Sequence, residues 1–290
     1  MAQIAPRLLD GNHLALKACR HGLMAYNKND AFVGRALDLY GEWCEAEMAL
    51  LGQILQPGQT VLDIGANIGT HTLFFSQQVT GKEQIGVVHA FEPQRLAYQM
   101  LCANLAINER LNVFTHQVAV GDAPGETLIP AIHPREKINF SGLPAIGYEQ
   151  GETVSVVTID GLNLPACHLI KIDVEGMESR VLNGARETIG RYRPVIYTEN
   201  NTEERAAETI ATMTSLNYRC WWHIEGYYNP NNHFNNEENI FQKYAPEANM
   251  LCFHQDLTIN VDDSFPPVTG VDDNYLKALD RRMEALNPSP

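Results

Sequence analysis

Residues 60–69, TVLDIGANIG, decide the reading of this chain. Residues 60–64 form a short apolar run of strand length, bounded by a turn. Gly65-Ala66-Asn67-Ile68-Gly69 is that turn, and helical spacing begins at Thr70. Glycines at such a turn let the backbone approach a ligand closely. The helix that follows offers N–H groups with no partner inside the helix. Working outward, the apolar runs 86–91, 112–120, 154–159, 168–174 and 194–199 alternate with the helical patterns 70–79, 93–108 and 177–189. This alternation predicts an α/β fold, a mostly parallel sheet with helices on both faces.

The turn reads D-x-G-x-N-x-G and departs from the dinucleotide fingerprint G-x-G-x-x-G. A pyrophosphate site avoids nearby negative charge, whereas Asp63 stands just ahead of these glycines. A cationic ligand suits it better, and S-adenosylmethionine carries an ammonium and a sulfonium but no phosphate. A nicotinamide-dependent oxidoreductase is disfavoured on the same ground. Glu92, in HAFEP, stands at the end of the next expected strand, where a carboxylate accepts both ribose hydroxyls. Residues 117–122, QVAVGD, end a later strand, where an adenine would lie. The expected cofactor wall is therefore Asp63, Gly65, Ala66, Asn67, Gly69, Glu92, Pro93 and Val118, with Asp173 beside it.

The chain has 290 residues and a formal net charge of −14. An acidic surface repels phosphate backbones and anionic lipid, so neither nucleic acid nor membrane is an expected partner. The expected partner is a small-molecule or glycan acceptor, and a homo-oligomer stays open. Six scattered cysteines, none in metal-ligand spacing, read as reduced thiols. The N-terminus lacks a long apolar stretch, so a cytoplasmic protein is expected. Residues 1–56 are expected to be a mostly helical extension or lid, with one helix over 38–55. The catalytic domain is expected over 57–258, and 259–290 as a tail around one short helix. Within the domain, four prolines make 122–151 an irregular insertion or short strands.

The runs DIGANIGTHTLFFS, AFEPQ, CANLAINERLNV, VAVGDAPGE, VVTID, LIKIDVEGMESRVLNGA and RPVIYTEN resemble, in order and spacing, FkbM-type S-adenosylmethionine-dependent methyltransferases. The resemblance covers residues 41–200. It implies a class I (Rossmann-like) seven-stranded sheet with its last strand antiparallel, and O-methyl transfer to sugar or polyketide hydroxyls. The later NPNNHFNNEENIF and NMLCF resemble a subset of the same family.

A hydroxyl is a poor nucleophile, so methyl transfer to it calls for a base or a metal. Asp173 and Glu199, at the ends of neighbouring expected strands, are the candidate catalytic acids, with His223 as a third candidate. Asp173, Glu199 and Asn200 by strand order would suit Mg²⁺. Glu175 reads either as a site acid or as a helix-N-terminal acid, and Lys171 either as a site cation or as an ion-pair partner. His71 follows the loop and would cap the crevice. In the aromatic, Asn-rich segment 220–245, Trp222, His223, Asn231, Asn232 and Asn236 could wall a sugar. Tyr40 reads either as facing the sulfonium or as part of a docking helix. Two other functions remain open: N-methylation of a small amine, and a non-catalytic S-adenosylmethionine-binding protein. The first lacks an Asn/Asp-Pro-Pro-Tyr type loop, and the intact turn and Glu92 count against the second.

Overall fold

In the computed structural model, which describes residues 5–140, 142 and 147–286, the chain begins with strands rather than helices. β1 (Leu9–Asp10), β2 (Leu14–Cys19) and β3 (Gly22–Asn27) pair antiparallel in that order. The helical expectation for this region is corrected. Ala15, Lys17 and Cys19 alternate inward along β2, and a lysine in the inward row hides the period of two. Lys17 is fully buried; its Nζ lies 3.1 Å from Asp38 Oδ1 and 5.1 Å over the Phe234 ring. Only this tertiary pairing makes the alternation work.

The single helix expected over 38–55 is two, α1 (Val33–Leu39) and α2 (Glu45–Gly52). The break falls where Gly41 (φ +70°) and Cys44 (φ +48°) take left-handed conformations. The bend brings Trp43, Cys44 and Glu47 to the wall of one cavity.

The remaining elements follow in chain order: β4 (Thr60–Ile64), α3 (Thr70–Gln78), β5 (Val87–Phe91), α4 (Arg95–Ile107), β6 (Val113–His116), β7 (Ala119–Val120), β8 (Gly125–Ile129), β9 (Glu152–Val157), β10 (Leu169–Ile172), α5 (Glu178–Asn183), α6 (Arg186–Tyr192), β11 (Val195–Glu199), α7 (Glu203–Ser215), β12 (Tyr218–Glu225), β13 (Glu247–His254) and α8 (Tyr275–Leu286). Seven of these strands form one sheet in the order β12-β13-β11-β10-β4-β5-β6. All run parallel except β13, the last in sequence, which is antiparallel to both neighbours. This is the seven-stranded, mostly parallel α/β sheet of class I methyltransferases. β4 and β10 are buried along their whole length, as strands covered on both faces must be.

From β4 the chain continues outward to β5 on one side, whereas β10 pairs with β4 on the other. The carboxyl ends of β4 and β10 therefore frame the switch-point crevice where such sheets bind ligands. The expected run 154–159 instead contributes β9 to a separate sheet, β7-β9-β8. The segment after β8 returns to the N-terminal strands: Ala31 N–H donates to Ile138 O (2.9 Å), and the Asn27 and Asn29 amides both donate to Pro134 O. Residues 141 and 143–146 of the expected insertion, and residues 1–4 and 287–290 of the two terminal segments, lie outside the described residues. Among the described residues no helix is long and apolar enough to cross a membrane, and all six cysteines are free. The helix expected in the tail is α8, linked to β12 through Asp273 just ahead of it, whose Oδ2 accepts from Trp222 Nε1 (3.2 Å) on β12 and from Arg281 (2.7 Å) on the helix.

Candidate cofactor and acceptor site

The turn after β4 is held from beneath. The Gly65 and Ala66 N–H groups both donate to Phe91 O at the end of β5 (3.0 and 2.9 Å). Gly65 (φ +83°) lies so close to β10 that an added Cβ would fall 1.7 Å from Asp173 O, so no other residue fits. Glu92 clamps the turn to the next helix. Its Oε2 accepts from Asn67 N–H and its Oε1 from Gln94 N–H, both at 2.8 Å. Gln94 Oε1 in turn caps α4 by accepting from Ala97 N–H. Burial raises the Glu92 carboxyl to about 7, although both backbone bonds pull it down.

A cavity of about 750 Å³ opens beside this clamp. Gly65, Asn67, Glu92, Pro93, Val118 and Asp173 of the expected cofactor wall all line it. Phe91, Val120, Ile129, Phe140 and Met177 complete an apolar slot next to Glu92. Ala66 lines a neighbouring cavity. Two expected residues are not brought to either wall. Gly69 (φ +89°) packs under Leu101, where a Cβ would fall 2.6 Å from a Leu101 methyl. Asp63 is fully buried; its Oδ2 accepts from Thr72 Oγ1 (2.6 Å), and its Oδ1 has no partner among the described residues. Its charge acts on the site through Lys171, its partner in the β4–β10 register.

The neighbouring cavity, about 900 Å³, shares Gly65, Asn67, Asp173 and Glu175 with the first. Five carboxylates line it, Glu47, Asp173, Glu175, Glu199 and Glu247, together with one buried cation, Lys171. Lys171 Nζ lies 3.0 Å from Asp173 Oδ2. Burial opposes the Lys171 charge, but Asp173, Asp63 and Glu47 outweigh it and hold the ammonium above its ordinary range. Burial raises Glu47 and Glu247 to about 7, Glu175 to about 8, and Glu199 well above the carboxylate range. Burial and then Lys171 lower His71 to about 3, so its 3.1 Å contact with Glu47 is a hydrogen bond of a neutral ring. An aromatic wall faces the acids, with Trp43 and Tyr227 stacked at 5.3 Å and Phe32 edge-on to both.

Several expected site residues lie elsewhere, each for a physical reason. Asn200 is buried with its Nδ2 on Met250 Sδ (3.5 Å), so the clustered acids are Asp173, Glu175 and Glu199, with ligand oxygens within 4.8 Å of one another. Glu175 precedes the helix instead of heading it: it has φ +51°, and α5 starts only at Glu178. His223 is buried against the Tyr197 hydroxyl (2.7 Å) and lines neither cavity; burial lowers it to about 4. Trp222 is core. None of the three asparagines lines either cavity: Asn232 Nδ2 donates to Asn229 O and Asn236 O, Asn236 Nδ2 donates to Leu39 O while its Oδ1 accepts from Glu238 N–H, and the main-chain carbonyl of Asn231 accepts from Arg20. These asparagines build the loop that seats on α1. Tyr40 belongs to the same packing: its hydroxyl donates to Glu238 O and accepts from Ile240 N–H, so the docking reading holds and the sulfonium contact does not.

A family model described as the methyltransferase FkbM domain matches residues 63–220. The chain belongs to the FkbM methyltransferase family. The 31-O-demethyl-FK506 methyltransferase FkbM of Streptomyces tacrolimicus is 30% identical over 195 residues, which is 56% of this chain and 73% of that protein. Among solved structures, an FkbM methyltransferase from Methylobacillus flagellatus is similar at TM-score 0.42 and 16% identity, over 71% of this chain and 50% of that one. This chain thus spans half the length of that solved relative. A precorrin-6y C5,15-methyltransferase from Geobacter metallireducens gives TM-score 0.45 and 14% identity, over 73% and 88% of the two chains.

Membership in a methyltransferase family implies S-adenosylmethionine, and this FkbM chain has residues that fit it. Gly65 draws the turn against β10 at the mouth of the crevice, and Glu92 stands beside an apolar slot. Sequence reading missed Glu47, Trp43, Tyr227 and Glu247 of the acidic cavity. Glu247 left one signal, an acid just ahead of the apolar run MLCF.

Proposed function

We propose that this FkbM-family protein methylates a hydroxyl oxygen of a sugar or natural product, using S-adenosylmethionine. The observation that carries this reading is the junction of the two cavities, where Gly65, Asn67, Asp173 and Glu175 belong to both walls. The bound cofactor supplies a methyl group on a sulfonium, open to in-line displacement. Glu92 accepts ribose hydroxyls with the lone pairs left beside its two backbone bonds. Phe91, Val118 and Val120 pack on the base. Asp173, held by Lys171, orients the acceptor hydroxyl. Glu199 and Glu247 are hydrogen-bonded to each other, and Glu247 has a pKa of about 7, so the pair takes up the hydroxyl proton near neutral pH. The relative named for 31-O-demethyl-FK506 supports oxygen as the accepting atom.

A second reading places Mg²⁺ among Asp173, Glu175 and Glu199, favoured by the closeness of their oxygens. The test is calorimetric titration with S-adenosylhomocysteine, followed by methyl transfer to a hydroxyl and amine acceptor panel with and without EDTA. Micromolar binding and EDTA-resistant transfer to hydroxyls are expected. Activity lost in EDTA and restored by Mg²⁺ moves the chemistry to the metal. Transfer only to amines, or no binding by the folded protein, refutes the proposal.

A further inference from the structure

Tyr227 lines the acidic cavity and also a second groove of about 520 Å³, formed by parts of residues 226–228 and 239–246. We infer that this groove is an outer acceptor subsite for a neutral glycosyl residue joined to the group that receives the methyl. The inference rests on the acceptor reading given above and extends it.

Three observations converge on that occupant. The first is charge. No charged side chain lines the groove, whereas five carboxylates line the cavity on the other side of Tyr227. A ligand spanning both would therefore present its neutral part here.

The second is shape and rigidity. Tyr227, Phe241 and Tyr244 form a contiguous aromatic face, with ring centroids 5.4 Å apart for Tyr227–Phe241 and 6.1 Å for Phe241–Tyr244. Phe32 braces the outermost ring edge-on at 4.8 Å. Tyr244 is nevertheless 53% exposed. The ring thus keeps an open face at the groove, and the C–H face of a pyranose covers such a face well.

The third is polarity at the rim. Asn239 and Gln242 are both exposed and line the same groove. Each amide carries a donor and an acceptor, which is what vicinal hydroxyls require and what a purely apolar ligand would leave unused. Asn239 Oδ1 accepts from Phe241 N–H at 2.9 Å, which fixes that side chain on the groove. Tyr227 also ties the groove to the chemistry, because it lines the acidic cavity together with Glu247. The sugar-facing role expected for Trp222, His223 and the asparagines at 231, 232 and 236 thus passes to side chains a few residues further along the same loop.

The experiment compares neutral methyl monoglycosides with methyl diglycosides, binding to the full chain in the presence of S-adenosylhomocysteine, by saturation-transfer NMR. At least one diglycoside should bind through ring C–H protons. Tyr244→Ala should weaken it at least tenfold, Tyr244→Phe should restore it, and monoglycoside and S-adenosylhomocysteine affinities should stay unchanged. The last measurement shows that the variant is folded. Absence of diglycoside binding by the wild-type protein, equal loss for mono- and diglycosides, or tighter binding of an apolar polyketide than of any diglycoside would overturn the inference. Methyl transfer to a monoglycoside reads the parent proposal separately, since it does not depend on Tyr244.

Discussion

Glu92→Gln separates the two duties of one side chain. The carboxylate accepts from Asn67 N–H and Gln94 N–H, and each bond is 2.8 Å long. The amide keeps one acceptor oxygen and turns an NH₂ toward the other backbone N–H, which is left unpaired in a buried place. Losing one bond to a charged acceptor and stranding its donor costs about 2 kcal/mol. If the turn must be in its present shape to bind, that cost corresponds to ~30-fold in affinity for S-adenosylhomocysteine. Whatever part of the cost the ligand-free turn does not relieve by relaxing lowers the protein's melting temperature instead, by at most about 4–8 °C. There is a pH signature as well. Only the ionised carboxyl accepts from two N–H groups and the ribose hydroxyls together, and its pKa is about 7. Wild-type affinity should therefore weaken as pH falls below 7, and Glu92→Gln should flatten that dependence. Calorimetric titration at several pH values, with calorimetric melting alongside, makes both comparisons. A variant that binds within twofold of wild type across this range would refute the clamp.

Other outcomes follow from the same contacts. Gly65→Ala should abolish cofactor binding, because its Cβ would fall 1.7 Å from the Asp173 carbonyl and neither backbone can yield without opening the crevice; measurable binding would show that the crevice is loose. His223→Ala should lower melting temperature but leave kcat unchanged, since the ring supports Tyr197 and lines neither cavity; a large fall in kcat at constant stability would restore it as a catalytic candidate. Thermal stability should fall as pH rises from 6 to 8. Burial raises Glu47, Glu92 and Glu247 to about 7 and Glu175 to about 8, so between about 4.5 and 8 the native state holds protons that the unfolded chain releases. His71 at about 3, with His89 and His223 at about 4, act oppositely, costing stability only as pH drops below about 6.5. A melting temperature that climbs steadily from pH 6.5 to 8.5 would contradict the raised carboxyls.

The sequence by itself determined the five strands β4, β5, β6, β10 and β11 and the family, and it picked out Gly65 and Glu92, which share one cavity wall, whereas it put 154–159 in the same sheet and left β12 and β13 unread. Local signals suffice there: a buried strand is an unbroken apolar run, a close backbone approach demands Gly65, and an acid at the next strand end is Glu92. Each is written within a few consecutive residues, because strand, turn and helix start are neighbours in the chain. The N-terminal strands were hidden because Lys17 sits in the inward row of β2, and its charge is satisfied by Asp38, 21 residues away. The acceptor side was hidden for the same kind of reason. Glu47 comes from α2, Asp173 follows β10, Glu199 ends β11 and Glu247 begins β13, and no spacing in sequence relates them. Asn232 and Asn236 look like sugar ligands in sequence, yet their amides are spent on carbonyls of the loop and of α1. Whether a polar side chain faces a ligand or closes a loop is decided by which partner reaches it first, and that is settled only when β13 inserts between β11 and β12 and carries Glu247 into the cavity.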